Sequence, residues 1–274
     1  MSDLPQRVIW INGLPRSGTS WLSQIIDSAQ EVEFRMAPLF SFQFRNTMKP
    51  DESEKDWRRF FNEVYESSDE WMAQKERRRT GAFPIFTQKL DSPPILAIKD
   101  VRHHQFIPHL LKLKLDIHVV HIIRDPRAAI YSWLNNAKEF PADADPMENW
   151  RSGKVRKINE SEYWGFEDWI KLTEQYLRLK AAYPENVTIV RYEHLVEDPL
   201  EETRKLFAHL RLDLLPQTEN FLKRSTESES EDPFSVFKTD NVLYKWKGQL
   251  QPEIIRSIEK QLRSTDLEQF LFKI

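Results

Sequence analysis

Two arginines in this sequence stand where a phosphate could be held. Arg16 lies in Gly13-Leu14-Pro15-Arg16-Ser17-Gly18-Thr19-Ser20, between two glycines and beside three hydroxyls. Glycines let the backbone curl until successive N–H groups point inward, and a helix opening at Thr19 would aim the positive end of its dipole at the same spot. The competing reading is a glycine turn with an exposed arginine. Arg124 opens Arg124-Asp125-Pro126-Arg127, and Ser132 comes about two helical turns further on. A third group gathers at Lys99-Asp100 and Arg102-His103-His104. Imidazoles titrate near neutral pH and can take a proton from a hydroxyl. Adjacent histidines can equally do no more than start a helix.

The loop is not an ordinary nucleoside-triphosphate loop. That motif, G-x-x-x-x-G-K-[ST], needs a lysine to reach the β- and γ-phosphates. Gly13 and Gly18 keep the spacing, but the lysine position is Thr19 and the cation has moved to Arg16. Charge neutralisation is then missing where phosphoryl transfer from ATP needs it most. The loop suits a phosphate-like group without being suited to ATP hydrolysis.

The elements that must position these groups read as strands alternating with helices. Val8-Ile9-Trp10-Ile11 is a buried strand that runs into the loop, and Trp21, Leu22, Ile25 and Ile26 give the next segment helical spacing. Residues 32–44 read as irregular, and 56–79 as one helix with Trp57, Phe60, Phe61, Val64 and Tyr65 on a single face. Its basic end, Lys75-Glu76-Arg77-Arg78-Arg79, reads as a solvated helix terminus rather than a nucleic-acid patch. Further strands are expected at 95–100, 117–123 and 187–190. Asp125-Pro126 and Asp198-Pro199 are helix starts, each with an acidic N-cap and proline at the first position. Residues 135–165 form a long loop, 227–232 an acidic serine-rich stretch, and a last helix spans 252–262. This order predicts an α/β fold, a mostly parallel sheet with helices on both faces. The chain reads as a single domain over 1–274, with insertion-like segments near 34–94 and 135–165.

Composition narrows the class. The 274 residues carry 40 Lys plus Arg against 43 Asp plus Glu, so the formal charge of −3 offers no overall basic field and any anion affinity must be local. With no cysteine, thiolate nucleophiles and cysteine metal sites are excluded. No apolar run approaches the length of a membrane span, and no targeting peptide is evident near the N-terminus. A cytoplasmic protein without nucleic-acid partners is expected.

Three separated stretches together resemble the sulfotransferases that use 3′-phosphoadenosine-5′-phosphosulfate. The loop from Gly13 to Trp21 resembles their 5′-phosphosulfate loop, with Arg16 where that loop carries lysine or arginine. Arg124 to Ser132 resembles their 3′-phosphate motif, and Arg191-Tyr192-Glu193 through Asp198-Pro199 the strand and helix start that often come next. Tyr244-Lys245-Trp246-Lys247-Gly248 is similar to the basic segment that closes over the donor. The resemblance implies a sheet architecture related to phosphate-loop nucleotide kinases. It implies in-line transfer of a sulfuryl group to a hydroxyl or amine of a small-molecule, lipid or glycan acceptor, with no metal required.

Donor contacts are then expected from Arg16, Ser17, Gly18, Thr19, Ser20, Trp21, Arg124, Ser132, Tyr192, Lys247 and Gly248. Trp21 would stack on adenine, or else serve as a core tryptophan. Lys99 would join Arg16 in neutralising the departing phosphate. Many relatives carry Glu-Pro shortly after the first helix, where this chain has Ala37-Pro38, so the acceptor's base must be sought elsewhere. His104 is the leading candidate, with His103, Asp100 and Glu33 behind it. Two other functions remain open, an ATP-dependent small-molecule kinase with a degenerate loop and a non-catalytic nucleotide-binding relative. Neither the acceptor nor the oligomeric state is readable.

Overall fold

The computed structural model describes residues 5–227, 236 and 243–272. Five parallel strands form one sheet: β1 (Arg7–Gly13), β2 (Val32–Met36), β3 (Ile95–Lys99), β4 (Ile117–Ile123) and β5 (Val187–Arg191), in the order β2-β3-β1-β4-β5. The helices are α1 (Thr19–Asp27), α2 (Glu54–Glu66), α3 (Lys75–Arg79), α4 (Ile107–Leu110), α5 (Pro126–Leu134), α6 (Pro146–Asn149), α7 (Gly165–Ala182), α8 (Tyr192–Glu197), α9 (Pro199–Leu210), α10 (Pro216–Glu227) and α11 (Pro252–Leu262). None is long and apolar enough among the described residues to cross a membrane.

Alternation along the strands explains why both faces are covered. Val8 and Trp10 of β1 join one core with Trp57 and Phe61 of α2, Trp133 of α5 and Trp169 of α7. Ile9 and Ile11 point the other way, into a second core with Leu22 and Ile25 of α1 and Phe207 of α9. Successive residues of a strand face opposite sides, so a strand buried on both reads as a continuous apolar run. Each fully buried large side chain contributes about 1.5–3 kcal/mol.

β2 corrects the irregular reading of residues 32–44. Val32, Phe34 and Met36 alternate as strand residues should, and Val32 pairs with Ile95 of β3. The expected single helix over 56–79 is also interrupted. Buried Arg35 of β2 donates from Nε to the Val64 carbonyl and from Nη2 to those of Tyr65 and Ser67. The guanidinium thereby takes up the last carbonyls of α2, which a further helical turn would otherwise use. The chain turns through residues 67–74 and re-enters α3 past Gln74, whose φ is 55°.

Residues 135–165 are not wholly loop, since α6 and a 3-10 turn at Lys154–Arg156 lie within them. The acidic stretch expected at 227–232 lies, beyond Glu227, outside the described residues. Both proline-led helix starts are present. The Asp125 carboxylate accepts from Arg127 N at 2.8 Å and that of Asp198 from Glu201 N at 3.1 Å.

The strand order sets the location of the site. From β1 the chain fills the sheet first on the β3 side, then crosses to β4 on the other side of β1. The carboxyl ends of β1 and β4 therefore flank a topological switch point, where open α/β sheets bind ligands. Gly13 pairs with Ile122, and Ile123 with Arg191, so the glycine loop, Arg124 and Tyr192 all leave the sheet at one level.

Candidate active site

The loop after β1 is shaped by two close approaches. A Cβ on Gly13 would come within 2.7 Å of the Ile122 carbonyl oxygen, so β1 and β4 can only meet here without a side chain. Gly18 adopts φ 92° directly before α1, and no side chain caps that helix. Its first N–H groups, which have no intrahelical partner, face the loop. The Ser17 hydroxyl is buried there without a hydrogen-bond partner. An orphaned donor beside an uncapped helix start fits an anionic group such as a phosphate.

Arg16 and Arg124 meet in this loop. Arg124 Nη1 donates to the Arg16 carbonyl at 3.0 Å, and Arg16 Nε donates to Ser132 Oγ at 3.2 Å. Three residues from two strand ends and one helix thus form one continuous cationic cradle. The Arg124 carbonyl accepts from Trp169 Nε1 at 2.9 Å, and the guanidinium lies 4.5 Å from the centre of the Tyr192 ring. Tyr192 in turn meets Trp21 edge to face at 6.3 Å. Behind it, buried Glu193 accepts from Asp125 N at 2.8 Å. Burial pushes that carboxyl up to about 7, with the neighbouring Asp125 charge adding to the rise.

Trp21 is 9% exposed and donates its indole N–H to Ser225 Oγ of α10 at 2.9 Å. Its packing is that of a core tryptophan rather than of an open stacking platform. Lys247 and Gly248 lie on a turn docked against α5, where Trp246 packs under the Arg127 guanidinium and Gln249 accepts from the Tyr131 hydroxyl. Lys247 sits 5.5 Å from the Tyr244 ring centre.

Lys99 stands at the end of β3, between β1 and β2, and donates to Ser20 Oγ at 3.1 Å. Burial, reinforced by the positive charge of Arg77, lowers its ammonium to about 8. It also lines a cleft of about 380 Å³ that opens beside the loop. Ala37, Phe40, Trp71, Arg77 and Arg102 form much of the wall. Ala37 is held there at φ 38°, its N–H on the Lys99 carbonyl at 2.7 Å.

The four base candidates separate clearly. His104 is 1% exposed, and its Nδ1 shares a 2.9 Å hydrogen bond with the Tyr176 hydroxyl. That hydroxyl also accepts from Asn12 Nδ2 at 2.6 Å, and Asn12 Oδ1 meets His121 Nδ1 at 2.7 Å. Burial lowers His104 to about 4, and its Nε2 is buried without a partner. His104, expected as the leading candidate base, thus stands in a buried network with Tyr176, Asn12 and His121 at the end of β1.

Glu33 is ion-paired with Arg35 early in β2, three residues before Met36 at the cleft, or about 10 Å along the strand. Asp100 is buried, which would raise its carboxyl, yet the His103 charge and backbone N–H groups of Arg102 and His103 bring it below its ordinary value. Its Oδ2 meets His103 Nδ1 at 2.9 Å. His103 keeps 15% side-chain exposure, directly after the cleft residue Arg102.

One charged neighbour carries no signal in the sequence. Glu139, in the connection after α5, places Oε2 3.6 Å from Arg16 Nε and 2.8 Å from Asn136 Nδ2. No spacing links it to the loop; only the fold does. Among the described residues, no group of three His, Asp or Glu is arranged to hold a metal ion.

Comparison with known proteins agrees with this layout. The mouse protein "Carbohydrate sulfotransferase 3" is 29% identical over 165 residues, covering 56% of this chain and 34% of its own length. Mouse "Carbohydrate sulfotransferase 5" is 25% identical over 204 residues, covering 66% of this chain and 49% of its own. The chain thus spans between a third and a half of the length of these relatives. Mouse sulfotransferase SULT7A1, solved in complex with PAP, shares the fold with a TM-score of 0.55 at 14% identity, over 97% of this chain and 87% of that one. Retinol dehydratase in a complex with retinol and PAP gives 0.58 at 12%, over 96% and 83%. The profile described as "Sulfotransferase family" matches residues 8–216, from β1 through both arginine motifs to the start of α10. With that match over most of its length, this chain belongs to the sulfotransferase family.

Proposed function

We propose that the chain transfers the sulfuryl group of 3′-phosphoadenosine-5′-phosphosulfate to a hydroxyl or amine of an acceptor in the cleft beside Lys99. The observation that carries this reading is the contact between Arg16 and Arg124, which makes one cradle from the ends of two strands. A donor with anionic groups on both sides of one adenosine needs such a cradle. The PAP complexes of two structural neighbours support the choice of nucleotide. Relatives described as carbohydrate sulfotransferases put a glycan hydroxyl among the acceptors.

When bound, the donor would supply an activated sulfuryl group on a phosphate leaving group. Arg16, Ser17 Oγ and the first N–H groups of α1 would hold the 5′ end, with Thr19 and Ser20 at the helix start. Arg124 and Ser132 would hold the 3′-phosphate, and Tyr192 keeps the Arg124 guanidinium in its plane. Lys99 offers a cation where charge develops, between donor and acceptor. His103 is the proton acceptor in this reading. Asp100 takes the Nδ1–H hydrogen bond, which leaves Nε2 of the ring as the nitrogen to accept the proton.

Calorimetric titration with 3′-phosphoadenosine-5′-phosphate, against ATP with Mg²⁺, tests the proposal together with a sulfate-transfer assay on alcohols, phenols and sugars. The bisphosphate should bind more tightly, and sulfate should appear on an acceptor. Preferred ATP binding with magnesium-dependent turnover would point to a kinase instead. Bisphosphate binding without any transfer would point to a non-catalytic relative.

A further inference from the structure

We infer that the acceptor is a hydroxylated ring compound bearing a carboxylate, held by the Arg102 fork while its ring lies against Phe40 and Trp71. The inference rests on the sulfotransfer reading and specifies its acceptor. Arg102 lines the cleft. Its guanidinium lies 3.9 Å from the centre of the Phe40 ring, and Nε donates to Glu162 Oε1 at 3.3 Å. Two independent partners therefore fix its plane. Nη1 and Nη2 make no hydrogen bond among the described residues, so the outer edge of the fork is presented ready-made. A planar guanidinium with two parallel N–H groups free matches a carboxylate bidentately.

The charges around the cleft favour the same ligand. Lys99 and Arg77 also line it and lie close enough for Arg77 to lower the Lys99 ammonium. An anion between them relieves that repulsion. The two carboxylates on the wall are answered from outside, Glu70 by Lys75 at 3.2 Å and Glu76 by Arg79 at 2.7 Å. Phe40 is 50% and Trp71 45% exposed, with ring centres 6.0 Å apart. Exposed aromatics beside a cationic fork provide a surface for a ring and an end for its acid group.

The test uses the full chain saturated with 3′-phosphoadenosine-5′-phosphate, titrated calorimetrically with matched pairs: glucuronate and its methyl ester, 4-hydroxybenzoate and its methyl ester. Galactose and galactose 6-sulfate form a third pair. At least one acid should bind ten-fold or more tightly than its ester. In Arg102→Gln that preference should collapse to near unity, while bisphosphate affinity stays within two-fold. Arg102→Lys, which keeps the charge but loses the fork, should retain only part of it.

Equal binding of every acid and its ester, or a preference unchanged in Arg102→Gln, would overturn the inference. Discrimination confined to the sulfated sugar would overturn the carboxylate in favour of a sulfate ester. Failure of the bisphosphate to bind at all would instead count against the sulfotransfer reading, so the two failures are distinguishable.

Discussion

Gly18 lies against the phenol ring of Tyr192 so closely that a Cβ on the glycine would stand 2.4 Å from Tyr192 Cδ2. The loop after β1 and the residue that leaves β5 therefore fit with no spare volume. Gly18→Ala adds this clash to the strain of a side chain at φ 92°, about 1–3 kcal/mol for the backbone alone. The expected result is a melting midpoint lower by several degrees and at least ten-fold weaker binding of the bisphosphate. Adding Tyr192→Ala should recover part of the midpoint by removing the clash. It should not recover affinity, because the ring that orients Arg124 is gone. Thermal melts and calorimetry on the three variants check this.

Arg124→Ala separates two anion contacts that the cradle joins. Loss of a charge-assisted contact costs roughly 1.5–3 kcal/mol, or about ten- to more than a hundred-fold in affinity. That loss should be seen for 3′-phosphoadenosine-5′-phosphate and be small for AMP, which lacks the 3′-phosphate. Equal losses for the two ligands would remove Arg124 from the 3′-phosphate site.

Lys99 sets an expected alkaline limit. With its ammonium lowered to about 8 by burial and Arg77, it loses charge just above neutrality in the free protein. If transfer needs that charge, kcat/KM falls as pH rises through about 8, since this parameter reports the free enzyme. Lys99→Arg keeps a cation at any accessible pH and should push the limb beyond 10, even if its maximum rate is lower. Stability runs the other way. Between about pH 8 and the ordinary lysine value of 10.5, the unfolded chain binds a proton that the folded chain does not, so stability rises with pH.

The two neighbouring histidines should separate by phenotype. His103→Ala should lower turnover by about 10²–10⁴-fold with bisphosphate affinity kept, the range for loss of a general base. His104→Ala should first lower the melting midpoint, since it opens the network through Tyr176 and Asn12. Its ring, lowered to about 4 by burial, also contributes to acid sensitivity. Between the ordinary value of 6.5 and about 4, only the unfolded chain takes up the proton, so stability falls on acidification through that window. Melting measured from pH 7 to 4 should fall less steeply in His104→Gln. A full loss of turnover in His104→Ala protein that stays folded would make His104, not His103, the base.

Chain continuity decides what is legible in the sequence. Arg16, Ser17, Arg124 and Tyr192 lie in unbroken motifs beside strand ends, and the sheet register alone brings the strand ends together. Both proline-led helix starts are equally local, each needing only an aspartate one residue away. β2 is harder to read, because five residues set among aromatics and arginines offer a short period. The break after α2 is harder still, since it depends on Arg35, far back in the chain, drawing on the carbonyls of Val64, Tyr65 and Ser67. Glu139, the Asp100–His103 pair and the Arg102 fork are arrangements of side chains, and residue type alone does not distinguish His103 from His104.

The nucleotide cradle is built on β1, β4 and the exit of β5, whereas the cleft walls come largely from the segment just after β2 and from the bend between α2 and α3. Ser20 and Lys99 stand on the seam. Descent can therefore remodel one half while the other stays intact, and exchanging residues 37–77 between relatives should carry taste for an acceptor across without altering the grip on the nucleotide. A lineage could in this way diversify its acceptors while inheriting unchanged the grip on an already activated donor.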